Sequence, residues 1–414
     1  LKSERRPKLN FVKNSKTVSL CFGLLALFLT IWQMVTPSGL KPWSYALGKN
    51  SNYFLDLLGR VSNIDQLHQT GNIYLNFGHL AFTYPPAAIF IFFWLTVPTQ
   101  TILVTFWTIL NTLFLYLIIS KGNTYVKTLH RLDQINCNLW LTIGSIIVLP
   151  PIYECFALGQ IGLVLFYLIF FDYFSKPKQL KGLLLGIATG VKIYPIIFIL
   201  AWIGQKKYKE SCTAMTVAAT LNLFAYFVWP TSSLYFYKNI IFGGAEMSHL
   251  LDGIKKLGSS SFISPLIRSP FNMGSANKFV LLGLITSYAL VVICLSVKLN
   301  NRGYVLTSFV VIAFASATCS IVTWDHYFIF IVLIPFTLVE IQSSQTFRII
   351  NYVVLAIFIY PWWRFRFWSG HDVLSQTVVY LSTNALLFAT LLYIFGSILL
   401  LLNSQNKNEL LSRN

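Results

Sequence analysis

The 414-residue chain is 56% apolar and only 11% charged, where a soluble domain carries about a quarter charged residues, so a water-soluble globular protein is excluded. Its net charge of +18 would suit a nucleic-acid partner. The cations, however, sit in short loops between apolar runs and not on one basic face interleaved with aromatics, which excludes that class.

Residues 1–16 are basic and precede an apolar run at 17–36, long enough to cross a hydrocarbon core of ~30 Å. The run lacks a small-x-small exit and is read as an uncleaved first span. A first outer loop follows at 37–100. Within it, Tyr84–Val97 opens on Tyr84-Pro85-Pro86 and stops at Pro98. That stretch is too short to cross and is expected as a juxtamembrane or re-entrant helix. Spans at 101–120, 137–155 and 160–175 come next.

Gly182–Gly204 lies between two basic clusters, Lys176/Lys178/Lys181 and Lys206/Lys207/Lys209. One crossing would put one cluster outside. A break at Lys192-Ile193-Tyr194-Pro195 instead gives two short helices, 183–192 and 195–205, and keeps both clusters inside; proline supplies the mechanism by removing a backbone donor. Further spans fall at 212–229, 278–297, 304–322, 326–343, 349–361 and 378–402, with outer segments at 230–277 and 362–377 and a tail at 403–414.

No alternating barrel pattern is present, so the expected fold is all-α: a single polytopic transmembrane domain over 1–414, with twelve helices and both termini cytoplasmic. The cytoplasmic loops then hold 20 of the 31 Lys and Arg residues, as the positive-inside rule requires. The six cysteines show no CxxC or paired spacing, so neither a disulfide framework nor a zinc site is expected.

Polar and ionisable groups are expensive in a membrane, and here they gather at the outer ends of spans. They are Asp56, Arg60 and Asp65; Glu154 with Gln160; Lys192; Glu246, Asp252, Lys255, Lys256 and Arg268; Asp325 and His326; and Arg364, Arg366, His371 and Asp372. Each has a bland reading. Asp56 pairs with Arg60 at i,i+4 on a helix surface. Lys192 is a snorkelling anchor. His326, Arg364 and Arg366 belong to an interfacial belt. Glu154 is simply solvated, and Gly159-Gln160 is a helix opening. A transporter would more often set such groups near the midplane of repeated halves.

The order of these features is more specific than any one of them. Asp56, Gly71-Asn72-Ile73-Tyr74, Phe82-Thr83-Tyr84-Pro85-Pro86, Gly159-Gln160-Ile161-Gly162, Gly182-Leu183-Leu184-Leu185-Gly186 with Val191-Lys192-Ile193-Tyr194-Pro195, Ser261 to Arg268, and Thr323-Trp324-Asp325-His326-Tyr327 follow one another in this chain. In that order they resemble glycosyltransferase family 87, polyprenyl-phosphate-dependent transferases of the C-type membrane glycosyltransferase fold. The matching pieces run over residues 56–330. The sequence departs from the family pattern at Ser259-Ser260-Ser261, where an Asn-Gln-Ser is usual, at Tyr327, where a second histidine often stands, and after Asp56, where Leu-Leu-Gly-Arg replaces a short aromatic-rich helix.

The resemblance implies a membrane enzyme that moves a sugar, mannose first and arabinofuranose second, from a polyprenyl-phosphate donor to a glycolipid or cell-envelope glycan. The location implied is the outer face of a bacterial cytoplasmic membrane. Asp56 is the implied base, taking the proton of the attacking hydroxyl. Lys192, Arg268 and His326 are expected at the donor phosphate, where cations stabilise the leaving group. Glu154, Gln160, Tyr84 and Asp325 are expected around the sugar or acceptor. A single base implies direct displacement with inversion. No Asp-x-Asp occurs in the first outer loop, so neither a metal nor a cofactor is expected. Two other classes stay open at this point. One is a lipid-sugar flippase or transporter. The other is an O-antigen ligase or polymerase built around the 230–277 loop.

Overall fold

A computed structural model describes residues 54–75, 82–130, 138–175, 181–242, 259–268, 278–320, 322–341, 344–360 and 373–412. The expected first span at 17–36 lies outside the described residues, as do Glu246, Asp252, Lys255, Lys256, Arg364, Arg366, His371 and Asp372. Among the described residues every regular element is helical, so the all-α expectation holds there.

Helix α1, Leu55–Thr70, ends at Gly71. A 3₁₀ turn, Pro86–Ala88, leads into α2, Ile89–Trp94. These nine helical residues rise only ~15 Å, too short to cross a hydrocarbon core of ~30 Å. After Pro98 comes α3, Gln100–His130, 31 residues long. At 1.5 Å per residue it spans ~46 Å and outreaches a hydrocarbon core.

The segment expected as the span 137–155 is a bent pair. Helix α4, Asn138–Val148, and α5, Pro150–Ala157, meet at 80°. Two prolines open α5 and sit at its first positions, where a missing N–H is harmless, while the ladder of α4 cannot continue through them. The turn carries Glu154 away from the α4 axis and against a later 3₁₀ helix, Asp325–Leu333.

Helix α6, Gly162–Phe174, is followed by α7, Leu183–Val191, and α8, Ile196–Gly204. The break between α7 and α8 falls at Lys192–Pro195, with Lys192 in extended backbone (φ −147°, ψ 133°), where the charge balance and the proline put it. Helix α9, Tyr208–Val228, packs along α7. Gly182, Gly186 and Gly190, four residues apart, form the contact stripe. A Cβ on Gly186 would lie 2.7 Å from both the Ala214 carbonyl and the Val217 Cβ. Small residues at this spacing let membrane helices approach backbone to backbone.

Short α10, Pro230–Tyr235, and a π-turn, Phe236–Ile241, come next, then α11, Ser264–Arg268, α12, Lys278–Asn301, and α13, Val305–Thr318. The 3₁₀ helix Asp325–Leu333 runs into α14, Ile334–Glu340. Helices α15, Gln345–Ile359, α16, Val373–Thr383, and α17, Ala385–Ser412, complete the described chain.

Helix α13 is the axis of the core, with all residues from Leu306 to Thr318 buried. Phe309 meets the rings of Phe166, Phe170, Tyr173, Phe174 and Phe198. The periphery is the reverse. Phe227, Phe279 and Trp140 are about 70% exposed, which in a soluble protein would be an aggregation hazard and in a bilayer is the lipid-facing surface.

Four described helices are long and apolar enough to cross a membrane: α3, α9, α12 and α17. The α4–α5 pair makes a fifth if counted as one bent span. Helices α6, α13 and α15 are apolar but shorter.

Candidate functional site

The site is assembled around the start of α1. The backbone N–H of Phe54 donates to the Ala157 carbonyl at 2.8 Å, and those of Asp56 and Leu57 donate to Leu158 at 3.2 and 3.3 Å. Thus the first turn of α1 is stitched to the turn that follows α5. Gly159 makes this possible. Its φ is +68°, and a Cβ there would stand 2.6 Å from the Phe54 ring and 2.7 Å from Leu57, so only glycine fits without displacement.

The next residue, Gln160, is buried, and its side-chain amide donates to the Asp56 carboxylate. The Gln160 carbonyl oxygen accepts from the Tyr84 hydroxyl at 3.5 Å. The segment Gly71-Asn72-Ile73-Tyr74 positions Tyr84 in turn. Gly71 caps α1 at φ +69°. The Asn72 side chain accepts from the Tyr74 N–H at 3.0 Å, and the Tyr74 hydroxyl donates to the Tyr84 carbonyl at 2.7 Å.

Two cations complete the cluster. The Arg60 guanidinium, one turn beyond Asp56, lies 5.4 Å from the Tyr84 ring centroid. The Lys192 ammonium, on the α7–α8 break, lies 5.2 Å from the same ring, 5.4 Å from Tyr194 and 4.0 Å from Tyr327. Burial pushes the Asp56 carboxyl above the ordinary aspartate range, while Arg60, Lys192 and the Gln160 hydrogen bond pull it back without reversing the shift. A carboxylate raised in this way is a better proton acceptor than an exposed one.

The late motifs border the same place. His326 Nδ1 stands 3.9 Å from a Glu154 oxygen, too far for a hydrogen bond. The His326 ring is 5.1 Å from that of Tyr327. Asp325 is buried at the head of the 3₁₀ helix. The run Ser259–Ser261 is buried and tied to Thr323, just ahead of that 3₁₀ helix: Ser260 N–H donates to the Thr323 carbonyl and Thr323 N–H to the Ser259 hydroxyl, each at 2.8 Å.

Asp56, Gln160, Tyr84 and Lys192 are therefore brought together, with His326 and Glu154 alongside. Arg268 ends α11, and its side chain lies outside the described residues. Arg60, Tyr194 and Tyr327 join the cluster although the sequence marked none of them as a site residue. Among the described residues no three His, Cys, Asp or Glu side chains gather as a metal-ligand set.

The model of one protein family, glycosyltransferase family 87, matches residues 82–323. The chain is 22% identical over 334 residues to a polyprenol-phosphate-mannose-dependent alpha-(1-2)-phosphatidylinositol pentamannoside mannosyltransferase of Mycobacterium tuberculosis (strain CDC 1551 / Oshkosh), covering 77% of this chain and 75% of that protein. It is 28% identical over 158 residues, 36% of this chain and 37% of the relative, to a polyprenol-phosphate-mannose-dependent alpha-(1-2)-phosphatidylinositol mannoside mannosyltransferase of Mycobacterium tuberculosis (strain ATCC 25618 / H37Rv). A pentamannoside mannosyltransferase of Mycolicibacterium smegmatis is 26% identical over 192 residues, 44% of this chain and 45% of that protein. No solved structure matches.

Proposed function

The chain belongs to glycosyltransferase family 87, and from that premise we propose that it is an alpha-mannosyltransferase that takes mannose from a polyprenyl-phosphate donor and delivers it to a glycolipid hydroxyl on the outer face of the membrane. The relatives' names supply the donor and the glycolipid class of acceptor. Family membership favours an enzyme over the transporter and ligase readings.

The observation that carries the mechanism is the meeting of the Asp56 carboxylate with Gln160, within the field of both Arg60 and Lys192. Transfer needs a proton acceptor beside the attacking hydroxyl and positive charge beside the departing phosphate. In the proposed step Asp56 removes the acceptor O–H proton. The acceptor oxygen bonds to the anomeric carbon, the carbon–oxygen bond to phosphate breaks, and polyprenyl phosphate leaves with the electron pair. Direct displacement at one carbon inverts its configuration. Lys192 and Arg60 face the leaving phosphate, with His326 and Arg268 as further ligands. Gln160 orients the Asp56 carboxylate, and Tyr84, Glu154 and Asp325 border the sugar and acceptor. The cations supply the charge, and the step is proposed to need no metal or cofactor.

The proposed topology is twelve spans with both termini cytoplasmic, in a bacterial cytoplasmic membrane, which places this cluster at the outer boundary. Asp56→Asn tests the base. Membrane insertion and yield should stay as in the wild type, while mannosyl transfer in proteoliposomes falls by about 100- to 10,000-fold. Transfer at the wild-type rate removes Asp56 from that role.

A further inference from the structure

Lys192 is a half-buried cation whose ammonium lies over the faces of aromatic rings. Its ammonium is closest to Tyr327, at 4.0 Å from the ring centroid, with Tyr84 and Tyr194 within 5.4 Å. No ion pair within 4.0 Å joins it to Asp56, although each feels the other's charge. The three rings come from three parts of the chain, and each backbone is separately tied. The Tyr84 carbonyl accepts from Tyr74 at 2.7 Å. The Tyr194 carbonyl accepts from Ser316 of α13 at 2.8 Å. The Tyr327 N–H donates to Trp324 at 2.9 Å inside the 3₁₀ turn. The Tyr194 and Tyr327 rings lie 5.7 Å apart and bracket the lysine. The Lys192 backbone, extended between two helices, is free of a helical side-chain register that would fix its direction.

We propose that Tyr327, with Tyr84 and Tyr194, is a positioning residue that holds Lys192 through the faces of the rings and so keeps its positive charge separate from the Asp56 carboxylate. The inference rests on the transferase reading above. An aromatic face attracts a cation through its quadrupole without carrying a formal charge. A carboxylate in the same place would neutralise the lysine and would have to be displaced by an incoming phosphate. A tyrosine cage orders the side chain without setting a counter-charge against it. It also leaves Asp56 without a direct ion pair to the lysine, so one cluster holds a base and a cation that are not locked together.

The test compares Tyr327→Phe with Tyr327→Leu in purified full-length enzyme, by donor KM, acceptor KM and binding of a short polyprenyl phosphate. The phenylalanine variant keeps the ring face and should retain donor KM within about twofold, whereas the leucine variant should raise it about 2- to 30-fold, the range of a lost cation–π contact. Acceptor KM should not move in either. In a Lys192→Met background, Tyr327→Leu should cost no further polyprenyl-phosphate affinity, because the ring would have no cation left to act through. Equal losses in the phenylalanine and leucine variants, or a further loss in the Lys192→Met background, overturn the cage. Where Tyr327→Leu lowers the yield of folded protein, Tyr327→Met serves the same comparison. A wild-type enzyme that binds no polyprenyl phosphate and transfers no sugar from it overturns the functional reading itself. A wild type that does both, with the ring face proving irrelevant, overturns the cage alone.

Discussion

Asp56 is tuned by opposing influences, and their balance is testable. Burial raises its pKa, while Arg60, then Lys192, then the Gln160 hydrogen bond lower it. A base must be ionised to act, so kcat/KM should rise with pH through the Asp56 pKa. Removing the guanidinium in Arg60→Gln takes away a lowering influence, so the acid limb of the pH profile should move to higher pH. A pH–rate profile of both enzymes checks this, and a shift to lower pH would contradict it. The residues legible in the sequence were those that stand out chemically in an apolar chain. Asp56, Lys192 and His326 are ionisable, and Gln160 follows a glycine that the fold needs. Tyr194 and Tyr327 carry no distinctive signal in the sequence, since a tyrosine at a span end is a common membrane-interface anchor. Only the convergence of three rings on one ammonium distinguishes them. Arg60 was legible as a helical neighbour of Asp56, but its proximity to the Tyr84 ring depends on a contact across the loop.

At the scale of elements, two buried carboxylates act as caps supplied by a neighbouring helix. Asp172, near the end of α6, accepts from the N–H groups of Gly182 at 3.0 Å and Leu185 at 2.8 Å, at the start of α7. Glu340, ending α14, accepts from the N–H groups of Leu306 at 2.9 Å and Thr307 at 2.8 Å, at the start of α13, and from the Tyr125 hydroxyl at 2.9 Å. The first amides of a helix have no internal partner, and a carboxylate there also meets the positive end of the dipole. Asp172→Ala should therefore destabilise the protein by about 1–2 kcal/mol, read as a lower thermal midpoint in detergent, while Asp172→Asn keeps an acceptor oxygen and should lose less. These caps were not legible, since no local spacing announces an acceptor reaching across from another helix. The α7–α8 break was legible, because charge on both sides and Pro195 pointed to it together. The 80° bend between α4 and α5 was not, although Pro150-Pro151 was in plain view. No flanking charge there demanded a reversal, so a single span satisfied the pattern.

The whole molecule raises the question of how many times the chain crosses. Long runs such as α3 and α12 read directly as spans. Helices of nine to fourteen residues, such as α6, α7, α8 and α13, do not, because each is shorter than the ~20 residues a perpendicular crossing takes. Periodicity gives helix but not depth, and only packing against neighbours decides between a crossing and a re-entry. The proposed orientation puts the Lys206/Lys207/Lys209 loop in the cytoplasm. A single cysteine introduced at Lys209, in a chain whose native cysteines are replaced by serine, should resist an impermeant thiol reagent in intact cells and react after permeabilisation. A cysteine at Asp65 should react in intact cells. The opposite pattern at either position inverts the topology.

The complete enclosure of α13 has a consequence for how this protein comes apart. Its residues from Leu306 onward touch neither solvent nor the molecule's outer surface, and Glu340 secures its first amides from another helix. No partial fraying can reach those amide hydrogens, so their exchange with deuterium requires the surrounding helices to part first. The Ser316 hydroxyl of that same helix holds the carbonyl of Tyr194. This enclosed helix is thus tethered directly to the loop that carries Lys192.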